Sequence, residues 1–180
     1  MTATRTLVLA LSLFGAATAN AATPDAIDAA VDAHYTQLPM TPANAKAVND
    51  RCASTLALVD RVRKALESRT GPATIEGDFA AFDTLQIAQT DGYFEMGTLS
   101  ETHPDKAVRD AAEACAQKLA DAGTAISLSR PIYDRLAAID ATPLDEKTRF
   151  ALTKMLTNYR LAGVDRDTLL REPSLMTIIN

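Results

Sequence analysis

Apolar residues recur along this chain at the helical period, and no alternating apolar run of strand length interrupts them. Val48, Cys52, Leu56, Val59, Val62 and Leu66 stand 4, 4, 3, 3 and 4 residues apart, one face of a helix. Thr41 as N-cap with Pro42 at the first helical position predicts its start, and Gly71-Pro72 predicts its end. A short helix over 25–35 precedes it, set off by the break Pro39-Met40-Thr41-Pro42. A second long helix is expected from about Thr74, with Glu76 and Asp78 in its first turn, where the macrodipole favours negative charge. Its buried stripe reads Phe79, Phe82, Leu85, Gln89, Tyr93 and Met96. Gly92 inside it costs roughly 1 kcal/mol relative to Ala, so a neighbouring helix is expected to cross there, or the helix to be locally loose.

A third long helix is expected from Pro104, with His103 as its N-cap. Val108, Ala112, Cys115, Leu119, Ala122 and Ile126 follow it at 4, 3, 4, 3 and 4, a narrow seam of the coiled-coil kind. A shorter helix starts at Pro131 and carries Ile132, Leu136 and Ile139. Another starts near Pro143 or Leu144, carries Leu152, Met155, Leu156 and Tyr159, and stops at Gly163, a residue suited to the left-handed C-cap position. The reading is all-α: an antiparallel bundle of about five to six helices with short connections and no sheet.

The first residues change where the domain begins. Arg5, the apolar run Leu7 to Phe14 and Ala19-Asn20-Ala21 form the n-region, h-region and small-x-small site of a secretory signal peptide over 1–21. The run is shorter than the roughly 20 residues that span a bilayer, so no membrane association is expected once the signal is removed. The chain is therefore expected in the periplasm or secreted, with one helical domain over 22–167. The 47% hydrophobic content argues against disorder, and the 5% aromatic content with abundant Ala suits helices packed through small side chains. The net charge of −5, one unit more acidic without Arg5, comes with no basic run, so nucleic acid is not an expected partner.

Chemistry-bearing residues are few. Cys52 and Cys115, one in each of two predicted helices, permit one disulfide in an oxidising compartment. The same residues also read as two small buried hydrophobes, because sequence does not say whether their Cα atoms come within bonding reach. Asp25, Asp28, Asp32 and His34 fall within a few helical turns, but Asp32 and His34 do not converge, and a solvated acidic face is expected. Asp105 with Arg109 and Asp134 with Arg130 read as surface ion pairs. Lys106, Arg135, Arg160 and Arg166 are further basic residues of the later segments, and any one of these arginines could meet a substrate carboxylate. No Gly-rich phosphate loop, haem attachment motif or nucleophile elbow is present. No catalytic or metal-ligating residue is assigned, and no cofactor is expected in this chain.

Three stretches carry a family resemblance: His103-Pro104-Asp105-Lys106-Ala107-Val108-Arg109-Asp110-Ala111-Ala112, Ser129-Arg130-Pro131-Ile132-Tyr133-Asp134-Arg135-Leu136, and Tyr159-Arg160-Leu161-Ala162-Gly163-Val164-Asp165. Together they resemble the N-terminal helical region of the thimet oligopeptidase, neurolysin and peptidyl-dipeptidase family, over roughly Val31 to Asp167. The resemblance implies one wall of a deep channel that admits short peptides, facing a zinc-bearing half. The family's zinc motif, H-E-x-x-H, has no counterpart here, since the only histidines are His34 and His103, followed by Tyr35 and Pro104. The chain is thus expected to be inactive alone, zinc being the cofactor of full-length relatives only. Residues 168–180 diverge: Pro173 would break the long helix that follows in the family. They are read as the unrelated tail of a truncated or frame-shifted product, against the alternative of a natural short protein. Ile87, Phe94, Leu99 and the tail residues Leu169, Leu170, Met176, Ile178 and Ile179 fall off the main stripes and are expected to expose apolar surface and to favour self-association. The competing expectation is a self-standing periplasmic bundle that binds a peptide or protein partner without catalysis.

Overall fold

The computed structural model describes residues 24–36 and 41–166. The signal segment 1–21, the tail 168–180 and its apolar residues lie outside them. Among the described residues there are six α-helices, one π-helical turn and no strand. The helices are α1 (Pro24–Thr36), α2 (Ala45–Glu67), α3 (Ala80–Thr102), α4 (Lys106–Ser127), α5 (Arg130–Ala137) and α6 (Glu146–Leu161). The π-turn, Ile75–Phe79, leads directly into α3. The architecture is the all-α bundle that the periodicity predicts.

Helices α2, α3 and α4 form the centre. Val48 and Cys52 near the start of α2 pack with Met96 and Leu99 near the end of α3 and with Val108, Ala112 and Cys115 of α4. At the other end Leu66 meets Ala81, Phe82 and Ile126. Those pairings make α3 antiparallel to both α2 and α4. The second cluster also takes in Ile27 and Val31 of α1, Ile132 and Leu136 of α5, and Leu152 and Tyr159 of α6. The Tyr159 hydroxyl donates to the Ile126 carbonyl at 3.0 Å, so a buried phenol brings no unpaired polar group into that core.

Helix ends carry the expected chemistry at shifted positions. The N-cap of α2 is Asn44, whose side chain accepts from Ala47 N at 2.9 Å, and not Thr41. Asp105 caps α4, accepting from Ala107 N at 2.8 Å, while His103 is the C-cap of α3. The expectation for His103 fails because a carboxylate two residues on competes better for the free amides. Asp145 caps α6, so that helix begins later than Pro143. Gly163 adopts φ 79°, the left-handed geometry expected of it.

Ahead of α3, Thr74 Oγ1 accepts from Gly77 N and Asp78 Oδ2 accepts from Thr74 N, both at 2.9 Å. This is a capping box with its acid one position late, as the wider π-turn requires. Asp78 is buried, and its other oxygen accepts from Arg135 Nε at 2.9 Å, tying the turn to α5.

Two stripe assignments need correction. Tyr93 is exposed, whereas Leu99 is buried at 7%. Tyr93 lies at the rim of the α3 stripe, and Leu99 falls on the side that closes against α2 and α4. Gln89, the polar interruption, bridges to α4: its amide donates to the Leu119 carbonyl at 2.9 Å and lies over Gly123.

Gly92 marks a crossing. A Cβ there would lie 2.8 Å from Thr55 Cγ2 of α2, 3.1 Å from the Tyr35 hydroxyl of α1 and 3.4 Å from Leu119 of α4. Gly97, five residues on, has nothing within 4 Å of the same position. Gly92→Ala should therefore destabilise, about 1–3 kcal/mol of overpacking outweighing about 1 kcal/mol of helix propensity. Gly97→Ala should stabilise by roughly 0.8–1 kcal/mol. Urea unfolding of both variants checks the opposite signs.

Cys52 and Cys115 are bonded, with Cα atoms 5.8 Å apart and a sequence separation of 63. The bridge lies inside the α2–α3–α4 core and cross-links α2 to α4. Reduction, or Cys52→Ala with Cys115→Ala, should lower the unfolding free energy by about 2–4 kcal/mol. Thiol alkylation of the native chain should add no mass until it is reduced.

Candidate functional site

Two places gather side chains that chemistry could use. The first is a polar cluster where α1, α2 and α3 meet. His34 Nε2 lies 2.8 Å from Thr55 Oγ1, and its ring stands edge-on to Tyr35 with centroids 5.0 Å apart. The Tyr35 hydroxyl donates to the Ala88 carbonyl at 2.6 Å, and burial pushes its pKa up to about 12. Arg51, buried, pairs with Glu95. Burial raises the Glu95 pKa and Arg51 only partly offsets it; Oε2 of Glu95 is buried with no hydrogen-bond partner among the described residues. His34 is pushed the other way, below its usual 6.5, by burial first and then by Arg51 and Arg61.

The cluster does not assemble the acidic group considered around His34. Asp28 accepts from the Thr84 hydroxyl, and Asp32 is exposed. Among the described residues no three His, Cys, Asp or Glu side chains come together as metal ligands. His103 stands at a helix junction, its Nδ1 accepting from Asp105 N at 3.1 Å. Arg109 does not pair with Asp105, which is engaged as a cap; its guanidinium donates to the His103 and Pro104 carbonyls at 2.7 and 2.9 Å.

The remaining basic residues divide by role. Arg130 pairs with Asp134 at 2.7 Å and Lys106 with Asp110 at 2.6 Å, both in solvent. Arg135 is structural: besides Asp78 it donates to the Gly71 carbonyl at 2.7 Å. Arg160 Nε donates to the Tyr133 hydroxyl at 3.4 Å, and Arg166 is exposed. The buried pairs Arg51 with Glu95 and Arg135 with Asp78 were not legible in the sequence, because each partner comes from a helix remote in the chain.

The second place is a groove between α3 and α6. One part, of about 680 Å³, is lined by Ile75, Phe79, Asp83, Phe150, Lys154 and Met155. An adjoining part of about 260 Å³ shares Met155 and Asn158 and reaches Phe82, Gln86, Gly123 and Tyr159. Phe150 is 68% exposed at its edge. On the outward face of α3 that continues from it, Ile87 is 46% and Phe94 64% exposed. No helix among the described residues is long and apolar enough to cross a membrane.

With this geometry in hand, comparison with known proteins gives no relative: no protein-family model, curated protein or solved structure matches the chain.

The depressed His34 pKa means the folded chain prefers the neutral ring. The unfolded chain takes up that proton first, so stability should fall as pH drops below about 6.5 and level off below the folded-state value. Glu95, raised in the fold, acts in the opposite sense at more acidic pH. His34→Gln should flatten the decline just below 6.5, read from urea midpoints at half-unit pH steps.

Proposed function

We propose that this chain is the non-catalytic, N-terminal channel-wall portion of an exported oligopeptidase of the zinc-dependent kind, whose full-length relatives handle short peptides. The observation that carries this reading is the apolar groove between α3 and α6, which no helix covers among the described residues and which gives one helical body a face for another. The resembling stretches support it in a particular way. They fall on the corners of the bundle: the α3–α4 junction with its Asp105 cap, the Ser129 cap and Pro131 at the start of α5, and the Tyr159 to Gly163 end of α6. Residues at such corners direct the helices that follow. In the full-length relatives zinc polarises the scissile carbonyl and activates water; in this reading the present chain contributes only shape and access.

A second reading, a self-standing periplasmic bundle that binds a peptide or protein, is favoured by a different observation. The described residues form two core clusters, and an internal disulfide cross-links α2 to α4 within one of them.

Incubated with zinc and a quenched short peptide, the purified chain should give no chelator-sensitive hydrolysis; turnover above the blank would overturn the wall reading. In the same preparation a hydrophobic dye should bind, and Phe94→Glu with Phe150→Glu should abolish the signal. A monomer that binds no dye and unfolds in one sharp transition makes the self-standing bundle the better account.

A further inference from the structure

The outward face of α3 is patterned as a docking seam. Asp83, Ile87, Thr90, Phe94, Thr98 and Glu101 stand 4, 3, 4, 4 and 3 residues apart, the spacing of a stripe that meets another helix. At 1.5 Å per residue the stripe runs about 27 Å. Its two large apolar residues, Ile87 and Phe94, lie seven apart and are exposed. Gly97, on the same face, leaves open space where a side chain would be, although a glycine inside a helix is costly without a reason. The α3–α6 groove prolongs the stripe past Asp83 to Ile75 and Phe79, with Phe150 as its outer wall.

Charge narrows the occupant. Glu76 and Asp83 line the groove, and Asp91 and Glu101 flank the apolar residues further along α3. None of the four belongs to an ion pair among the described residues, so all four charges face outward beside the apolar residues. Lys154 is the one basic residue lining the groove among the described residues. A second copy of this chain would bring these carboxylates against their own kind, which disfavours a symmetric pairing.

We propose that this face docks an amphipathic helix of a separate polypeptide, apolar on one side and flanked by Lys or Arg. Its apolar side chains lie on Ile87 and Phe94 and enter the groove beside Phe150. Its cations meet Glu76, Asp83, Asp91 and Glu101, and its backbone approaches α3 at Gly97. The inference rests on the reading that this chain works as one body against another, and it specifies the chemistry of the facing surface.

The probe is a labelled 18-residue helical peptide with Leu at a 3,4 repeat and Lys elsewhere, titrated against the full chain by fluorescence anisotropy. A Glu-for-Lys version is run in parallel. The cationic peptide should bind at least tenfold more tightly than the anionic one and weaken steeply between 50 and 500 mM salt. Phe94→Ala and Phe150→Ala should each cost about tenfold; both residues are exposed, and circular dichroism verifies the fold. Asp83→Lys with Asp91→Lys should reverse the preference between the peptides, while Glu113→Lys with Asp121→Lys, the same change of charge on the exposed side of α4, should leave it intact. Equal binding of both peptides, or an effect of the α4 double change as large as that of the α3 double change, overturns the proposal. Two further outcomes overturn it in favour of another occupant: affinity that rises on Leu169→Asp with Leu170→Asp assigns the groove to the chain's own tail, and a dimer abolished by Phe94→Ala assigns it to a second copy. Dye binding that persists while the peptides fail to discriminate leaves the wall reading standing and removes only this inference.

Discussion

The bundle depends on one close approach. At Gly92 the backbone of α3 is reached by Thr55 of α2, Tyr35 of α1 and Leu119 of α4, leaving no room for a side chain. Three helices can converge on a fourth in this way only if the fourth is bare at that point. The surrounding contacts follow from it. Tyr35 comes near enough to hydrogen-bond the Ala88 carbonyl, His34 reaches Thr55, and Gln89 spans to α4 over the second bare position, Gly123. Small residues such as Ala88, Ala112 and the bonded cysteines keep the spacing short along the helices. The low aromatic content of the chain is what such close packing requires.

Around that crossing the structure spends charge sparingly and in two ways. Arg135 and Asp78 lock the π-turn ahead of α3 to α5, with the remaining lone pairs and donors taken by Thr74 N and the Gly71 carbonyl. That satisfaction is what makes a buried ion pair tolerable. Arg51 and Glu95 are less completely served, and the Glu95 carboxyl is correspondingly harder to ionise. Elsewhere charge lies in exposed pairs along single helices, which contribute little to stability. The groove between α3 and α6 stands apart from both patterns, acidic, apolar and without a helix over it among the described residues.

The proposed wall role draws on two separate grounds. One comes from residues at helix corners, the other from a face left open. Neither supplies a nucleophile, a base or a set of metal ligands. The groove offers shape, apolar area and negative charge, which suits the proposed recognition of another polypeptide.

The sequence by itself determined the fold class and most of the buried stripes, because a 3.6-residue period survives any tertiary arrangement: Val48 through Leu66 and Val108 through Ile126 lie where the spacing puts them. It also pointed to Gly92 and Gln89 as exceptions in need of a cause. Caps were legible in kind but not in position, since Asn44 and Asp105 competed with Thr41 and His103 for the same amides. What only the tertiary structure decided is everything that joins residues far apart in the chain. The Cys52–Cys115 bond needed two Cα atoms brought to 5.8 Å, and the partners of Arg51 and Arg135 lie on other elements. The exposed seam on α3 needed to be seen with no helix over it among the described residues. Periodicity says which face of a helix is apolar; only packing says which faces find a neighbour.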